Sequence, residues 1–425
     1  MLLILALLAT ASMWFYVNNI LRAHQIADAK TRQVPRGNLS DLYPRWCGAR
    51  ELLLHHRNPY SRDVTLEIQE GYYGRRLDPA RPNDPKDQQG FAYPVYVVFL
   101  LAPLVWVPFP ALLVAFYWLL TILTAISVLL WLRVLKWPLH ATEVVVCVTV
   151  TLGSFAAVQG IKLQQLSLLA AALMAGAVAC VAGGHLFIGG ALLALATIKP
   201  QLAWALAAWL LFWAASDWQN RRRLVFGFAM VMVLLLAGAE IVLPGWVGMF
   251  TDAVGRYHEY TQNRSVLDEL VLWAFAGKIL AVVAAVASSS VLWRQRGVVN
   301  SAAGFGQATA LVLALTVLVV PMYAPYNQVL LLPAILVLVR DRTIFFSRSR
   351  GVRLLYLSGT VTLAWQWIAS LSLSAACLFV SQTWALDRWQ WPFLATFALP
   401  VVVFALIFLD TIFLGKPYKL EKVAT

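Results

Sequence analysis

Apolar residues in this chain come in long blocks separated by short polar breaks, not at the one-face spacing of a surface helix. The blocks run over Met1–Ile20, Ala111–Leu132, Ala141–Val158, Gln164–Val181, Leu186–Ile198 and Gln201–Ala215. They continue over Leu224–Leu243, Leu270–Trp293, Ala303–Val320, Tyr326–Val339, Leu354–Val380 and Pro392–Leu414. Several are shorter than the roughly 20 residues of a straight membrane crossing. The pattern predicts an all-α polytopic membrane protein, residues 1–425 forming a single integral membrane domain of about twelve transmembrane helices.

One apolar stretch, Phe91–Val107, reads differently. It carries Pro94 and Pro103, with Pro108 and Pro110 just beyond. Proline inside a helix removes a hydrogen bond and clashes with the preceding turn. This stretch is therefore expected to dip into the outer interface without crossing. Basic residues cluster in the breaks at Arg133–Lys136, Asn220–Arg223, Arg294–Arg296, Arg340–Arg353 and Lys416–Lys422. Placing these clusters in the cytoplasm by the positive-inside rule puts both termini there. Residues 22–110 then form the first extracytoplasmic loop, with juxtamembrane helices, and residues 244–268 the second.

The first loop has parts of its own. Asp41–His56 reads as a helix on the membrane surface, entered at Ser40, with Pro44 tolerated in its first turn. Trp46, Ala49 and Leu53 fall on one face, and Arg45 and Arg50 turn away. The stretch Asp78–Gly90 (DPARPNDPKDQQG) is rich in Pro, Asp and Asn and is expected to be irregular.

Composition strengthens the membrane reading. Hydrophobic residues are 61% of the chain and charged ones 12%, with a mean hydropathy of +0.72. Such a chain has too little polar surface to be a water-soluble globule. The formal net charge of +13 falls largely in the basic breaks, so it marks topology, and no nucleic-acid partner is expected. Cys47, Cys147, Cys180 and Cys377 form neither a disulfide framework nor a metal-binding spacing. The first twenty residues lack a basic start and read as a membrane segment, not a cleaved leader.

Chemistry on the outer face must come from outer loops and helix ends. Asp41, in Asn38–Trp46 (NLSDLYPRW) beside Tyr43, is either a helix-starting carboxylate or a general base. Lys199, in IKPQ, sits where Pro200 ends one apolar segment and opens the next. A lysine there either snorkels to the headgroups or faces an anionic group. The turn VQGIKLQQ holds Lys162, Gln164 and Gln165. The loop Asp252–Asp268 carries Arg256, Tyr257, His258, Glu259, Tyr260, Gln262, Asn263 and Arg264. It is either a solvated loop or a cationic, hydroxyl-rich surface suited to a phosphate with sugar hydroxyls nearby. Met322–Gln328 (MYAPYNQ) puts Tyr323, Tyr326 and Asn327 at a Pro-broken helix mouth, and Glu240 lies about a turn inside the outer boundary. No Walker A loop, GxSxG, HExxH or Cys/His cluster is present. A transporter or flippase would instead carry mid-membrane charges and an internal repeat, and no repeat is evident.

In order, DLYPRW at Asp41–Trp46, NPY at Asn58–Tyr60, FAYP at Phe91–Pro94, APL at Ala102–Leu104 and ATIKP at Ala196–Pro200 resemble the polyprenyl-phosphate-dependent glycosyltransferases of the C fold. The resemblance is greatest to glycosyltransferase family 87, whose members include α-1,2-mannosyltransferases. Tyr93–Pro94–Val95 stands where the family has a double proline. Lys162–Leu163–Gln164 stands where it has Gly-Gln, and Asn327 where some members carry histidine. The resemblance implies a membrane hexosyltransferase, with Asp41 as the catalytic base. Its donor would be a sugar, mannose by analogy, on a polyprenyl phosphate, and its acceptor a glycolipid or glycan. Lys199, Arg256, Lys162 and Arg264 would hold the donor phosphate. Tyr43, Tyr93, Gln164, Gln165, His258, Glu240, Tyr326 and Asn327 would contact substrate. No metal or other cofactor is called for. The expected location is the bacterial plasma membrane, with the site on its extracytoplasmic side.

Overall fold

The computed structural model describes residues 1–34, 40–261, 264–271, 275–321, 323–380 and 382–414. Asn38, Gln262, Asn263, Met322, Lys416, Lys419 and Lys422 lie outside the described residues, as does the side chain of Tyr260. Among those described, the structure is helical throughout and has no strand.

Among the described residues, five helices are long and apolar enough to cross a membrane: Leu2–Thr31, Phe109–Val134, Trp218–Val242, Ala276–Arg294 and Thr383–Ile412. A sixth crossing is available if Ala141–Leu152 and Phe155–Lys162, which meet at a 58° bend, act as one span. Shorter apolar helices stand at Leu166–Ala182, Leu186–Ala196, Pro200–Ala215 and Ala303–Val319, and the 27-residue helix Arg350–Ala376 is long but less apolar. At 1.5 Å per residue, Leu186–Ala196 reaches only about 16 Å, roughly half the hydrocarbon thickness. The first helix instead exceeds that thickness. It continues past the apolar block, through a π-turn at Tyr16–Leu21, into the polar helix Arg22–Thr31.

The two largest buried clusters among the described residues hold most of the interior. One draws on Phe109–Val134, Leu166–Ala182, Pro200–Ala215 and Ala303–Val319. The other joins the helix Tyr43–His55 to the stretch packed against it, through residues such as Leu42, Trp46, Phe91, Val97 and Leu101. Phe91–Val107 holds only the short helix Val97–Leu101 and one tighter turn, Ala102–Leu104. It packs under Tyr43–His55, where the Trp46 indole donates to the Leu104 carbonyl at 3.1 Å.

The short helices are fixed by close backbone approach. Gly190 and Gly227 face each other across Leu186–Ala196 and Trp218–Val242. A Cβ on Gly227 would lie 2.1 Å from the Phe187 carbonyl oxygen, and one on Gly190 2.1 Å from that of Leu224. The basic breaks meet at one end of the bundle. Arg340 donates to the Leu135 carbonyl at 2.8 Å, and Arg221 to that of Arg296 at 2.9 Å. Arg133, His185 and Asn300 line one surface depression there. Lys199 lies at the opposite end of the helix that starts just after His185.

Candidate active site

Four chain breaks converge away from the basic end. The first is the entry to the surface helix at Asp41. Its backbone amide donates to the Leu163 carbonyl at 2.9 Å, pinning this segment to the turn between Phe155–Lys162 and Leu166–Ala182. That turn needs a left-handed residue, and Gln164 adopts φ 49°. Its side-chain amide donates to the Ile161 and Lys162 carbonyls at 3.1 and 3.0 Å, so Gln164 closes the turn. The second break is that turn, which presents Gln165. The third is Lys199, between Leu186–Ala196 and Pro200–Ala215. The fourth is Pro325–Leu331, which brings Tyr326 and Asn327.

A continuous polar chain links these breaks. The Asp41 carboxylate accepts from the Gln165 amide nitrogen, and the Gln165 carbonyl oxygen accepts from the Lys199 ammonium at 3.2 Å. That ammonium also donates to the Ser167 hydroxyl, which donates to the Asn327 carbonyl oxygen at 2.9 Å. Lys199 is only 3% exposed, and its charge lies 5.1 Å from the centre of the Tyr326 ring. The Gln165 and Ser167 acceptors are neutral.

The wall beside this chain is cationic. The Arg45 guanidinium lies 4.6 Å over the Tyr93 ring and donates to the Asp41 carbonyl at 2.9 Å. Its Nε is buried without a hydrogen-bond partner. A cavity of about 220 Å³ is lined by Arg45, Tyr93, Gln165, Lys199, Tyr257 and Tyr326, with His258 at its edge. The helices beginning at Leu166 and Pro200 both point their N-termini at it, which adds partial positive charge. Burial pushes the Asp41 carboxyl above the usual carboxylate range. Arg45, the Gln165 hydrogen bond and Lys199 pull it back down without cancelling the rise.

Arg45 was expected to turn away from the membrane face with Arg50. Arg50 is exposed, with its guanidinium 5.4 Å from the centre of the Trp46 ring. Arg45 instead folds under the first turn of its helix toward Tyr93, and local periodicity gave no sign of this. Ser167 was missed as well. Its one sequence signal is a hydroxyl two residues after an amide pair, at the start of an apolar helix.

Several expected residues lie elsewhere. Residues 246–261 of the second loop form a helix, Trp246–Thr261. This amphipathic helix sets Phe250, Val254, Tyr257 and His258 against the cavity. Its Arg256 lines a neighbouring cavity instead. Arg264 pairs with Glu269 at 3.4 Å. Glu240 is exposed and accepts from the Gly245 amide at 2.8 Å, closing its own turn. Tyr43 packs edge-on against Phe109, with centroids 4.8 Å apart, and its hydroxyl fills the space over Gly71. Lys162 follows the broken pair toward Arg22 and does not line the cavity.

The structure is that of an all-helical membrane protein whose short helices end around a cationic polar cavity, with the Asp41 carboxylate held behind its lining by Gln165. The family model for glycosyltransferase family 87 matches residues 91–321, more than half of the chain. The chain belongs to this family and is a membrane glycosyltransferase. The matched region includes Tyr93, Gln165, Lys199 and the Trp246–Thr261 helix, and Asp41 and Arg45 precede it. No curated protein and no solved structure matches the chain.

Proposed function

We propose that this protein transfers a sugar, mannose by family analogy, from a polyprenyl-phosphate donor to a hydroxyl of a glycolipid or glycan acceptor. The observation that carries the reading is the Asp41–Gln165–Lys199 chain: Gln165 and Lys199 line the cavity, and Gln165 holds behind it a carboxylate with a raised pKa, one amide away from the buried cation. Asp41 takes the acceptor's hydroxyl proton as that oxygen attacks the anomeric carbon. The bond from this carbon to the phosphate oxygen breaks on the opposite side, so the configuration inverts. The leaving polyprenyl phosphate gains charge, which Lys199, Arg45 and the two helix N-termini offset in a desolvated setting. Gln165 holds the carboxylate and the ammonium in register.

The same reading assigns a membrane orientation. The shared basic end faces the cytoplasm under the positive-inside rule. The cavity then opens on the extracytoplasmic side of a bacterial plasma membrane, with about twelve crossings once the short helices are counted.

The test is transfer by purified protein in neutral-lipid nanodiscs, supplied with radiolabelled polyprenyl-phosphate mannose and a membrane lipid extract. Wild type should give a labelled product, whereas Asp41→Asn should bind donor and transfer nothing. Full transfer by D41N would remove Asp41 as the base. Donor movement across the bilayer with no transfer by wild type would replace the enzyme reading with a flippase.

A further inference from the structure

A second cavity of about 390 Å³ adjoins the first and shares Ala92 and Tyr257 with it. It lies between the helix Arg62–Tyr73, the loop through Gln88–Ala92 and the helix Trp246–Thr261. The last of these helices separates the two spaces. Phe250, Val254 and His258 face the catalytic cavity, Ala253 and Arg256 face the second, and Tyr257 borders both.

The lining contains two arginines, Arg62 and Arg256, and no acidic residue. Other arginines of the same outer segment are committed to carboxylates. Arg57 pairs with Glu51 and Glu67 at 2.5 and 2.7 Å. Arg75 pairs with Asp84, and Arg76 with Glu70 at 2.6 Å. Arg62 and Arg256 form no ion pair among the described residues, although Asp63 adjoins the first, and Asp252 and Glu259 lie within a turn of the second. Thr65 and Gln88 add a hydroxyl and an amide, and the Phe91 and Tyr60 rings, 5.3 Å apart, give an apolar floor. Unpaired guanidiniums with small polar groups and aromatic faces match a saccharide bearing a negative charge.

Resting on the glycosyltransferase reading, we infer that this second cavity is the acceptor subsite, and that the acceptor carries an anionic group, a uronate or a phosphate, held by Arg62 and Arg256. The shared Ala92–Tyr257 border is where the acceptor hydroxyl would pass toward Asp41. The donor phosphate stays with Lys199 and Arg45 in the other cavity.

Two measurements test this in neutral-lipid nanodiscs. The first is binding of three oligosaccharides of equal length, one with a uronate, one with a phosphomonoester and one neutral, by saturation-transfer NMR. Wild type should bind at least one anionic probe and not the neutral one, and the bound probe identifies the anion. Arg62→Gln/Arg256→Gln should abolish that binding. Equal binding of the neutral probe, or unchanged anion binding by the double variant, overturns the inference. The second is transfer to acceptors from a lipid extract, split into neutral and anionic pools by ion exchange. Product should form in the anionic pool, and R62Q/R256Q should raise the acceptor KM at least tenfold with a smaller change in kcat. Product only in the neutral pool ends the acceptor assignment and leaves the transferase intact. No product from either pool, with donor supplied, counts against the transferase reading itself.

Discussion

Lys199→Met separates a functional lysine from a structural one, because the two roles predict different changes in stability. The ammonium is 3% exposed and bonded to Ser167 and Gln165, with no carboxylate in direct contact. A desolvated ion costs several kcal/mol unless a good partner offsets it. Methionine fills nearly the same volume and removes that cost. Against this, Gln165 loses a donor, at about 1–3 kcal/mol, and the contact with Tyr326 is lost, at about 2 kcal/mol. Ser167 keeps its bond to Asn327. The opposing amounts nearly cancel, so K199M should melt with a stability within about 2 kcal/mol of wild type. Removing half of a true buried ion pair would cost about 3–5 kcal/mol. Function should respond far more strongly. A desolvated cation lost from an anionic ligand costs about 2–5 kcal/mol of binding, or roughly thirtyfold to several thousandfold. The assays are thermal unfolding in nanodiscs with and without polyprenyl phosphate, and donor KM. Wild type should be stabilised by the ligand and K199M should not be. A strongly destabilised K199M whose remaining folded fraction shows an unchanged donor KM would refute the argument and make Lys199 a packing residue.

Two further outcomes follow from the same geometry. Asp41 must be ionised to act as base, and its carboxyl is raised, so transfer should fall with acidification at a higher pH than for an ordinary aspartate. Gln165→Leu removes a hydrogen bond that lowers it, so in kcat/KM against pH the acid limb should move further up; a limb that stays in place rejects the contact. Gly227→Ala forces its Cβ against the Phe187 carbonyl and should cost about 1–3 kcal/mol and displace Lys199. The control Gly248→Ala, with open space around it, should be neutral or stabilising by up to about 1 kcal/mol; equal melting of the two variants would reject the close approach.

What the sequence made legible was whatever local chemistry determines. Apolar blocks declared a membrane protein, and Pro200 after Lys199 marked a helix junction that lines a cavity. Asp41 and Gln165 were each legible as candidates, but their contact was not, because it joins the outer segment to a turn far along the chain. Arg45 shows the same limit. Helical periodicity assigns a face, but its guanidinium is held by Tyr93 from another segment. The helix Trp246–Thr261 was not legible for another reason. Its charges outweighed a helical spacing already present in Phe250, Ala253, Val254 and Tyr257. Glu240 looked costly near the membrane boundary, yet a single backbone amide at Gly245 satisfies it.

The shortness of the helices is itself part of the site. A full-length span keeps its polar backbone ends at the two water interfaces, where they cannot reach a buried ligand. Breaking the chain at Leu163–Gln165 and at Lys199 brings two helix N-termini beneath the outer segment. Unsatisfied backbone N–H groups there are costly unless capped or given an anion. Neither terminus has a side-chain cap. Hydrogen-bond capacity and positive potential thus remain at the cavity that holds Lys199 and Arg45. The close contact at Gly190 and Gly227 holds one of these breaks in place, and the Asp41–Leu163 backbone bond ties the carboxylate to the other. A phosphate bound there would satisfy both helix ends and both cations together, and under the proposed mechanism that would tie donor binding to the alignment of Asp41.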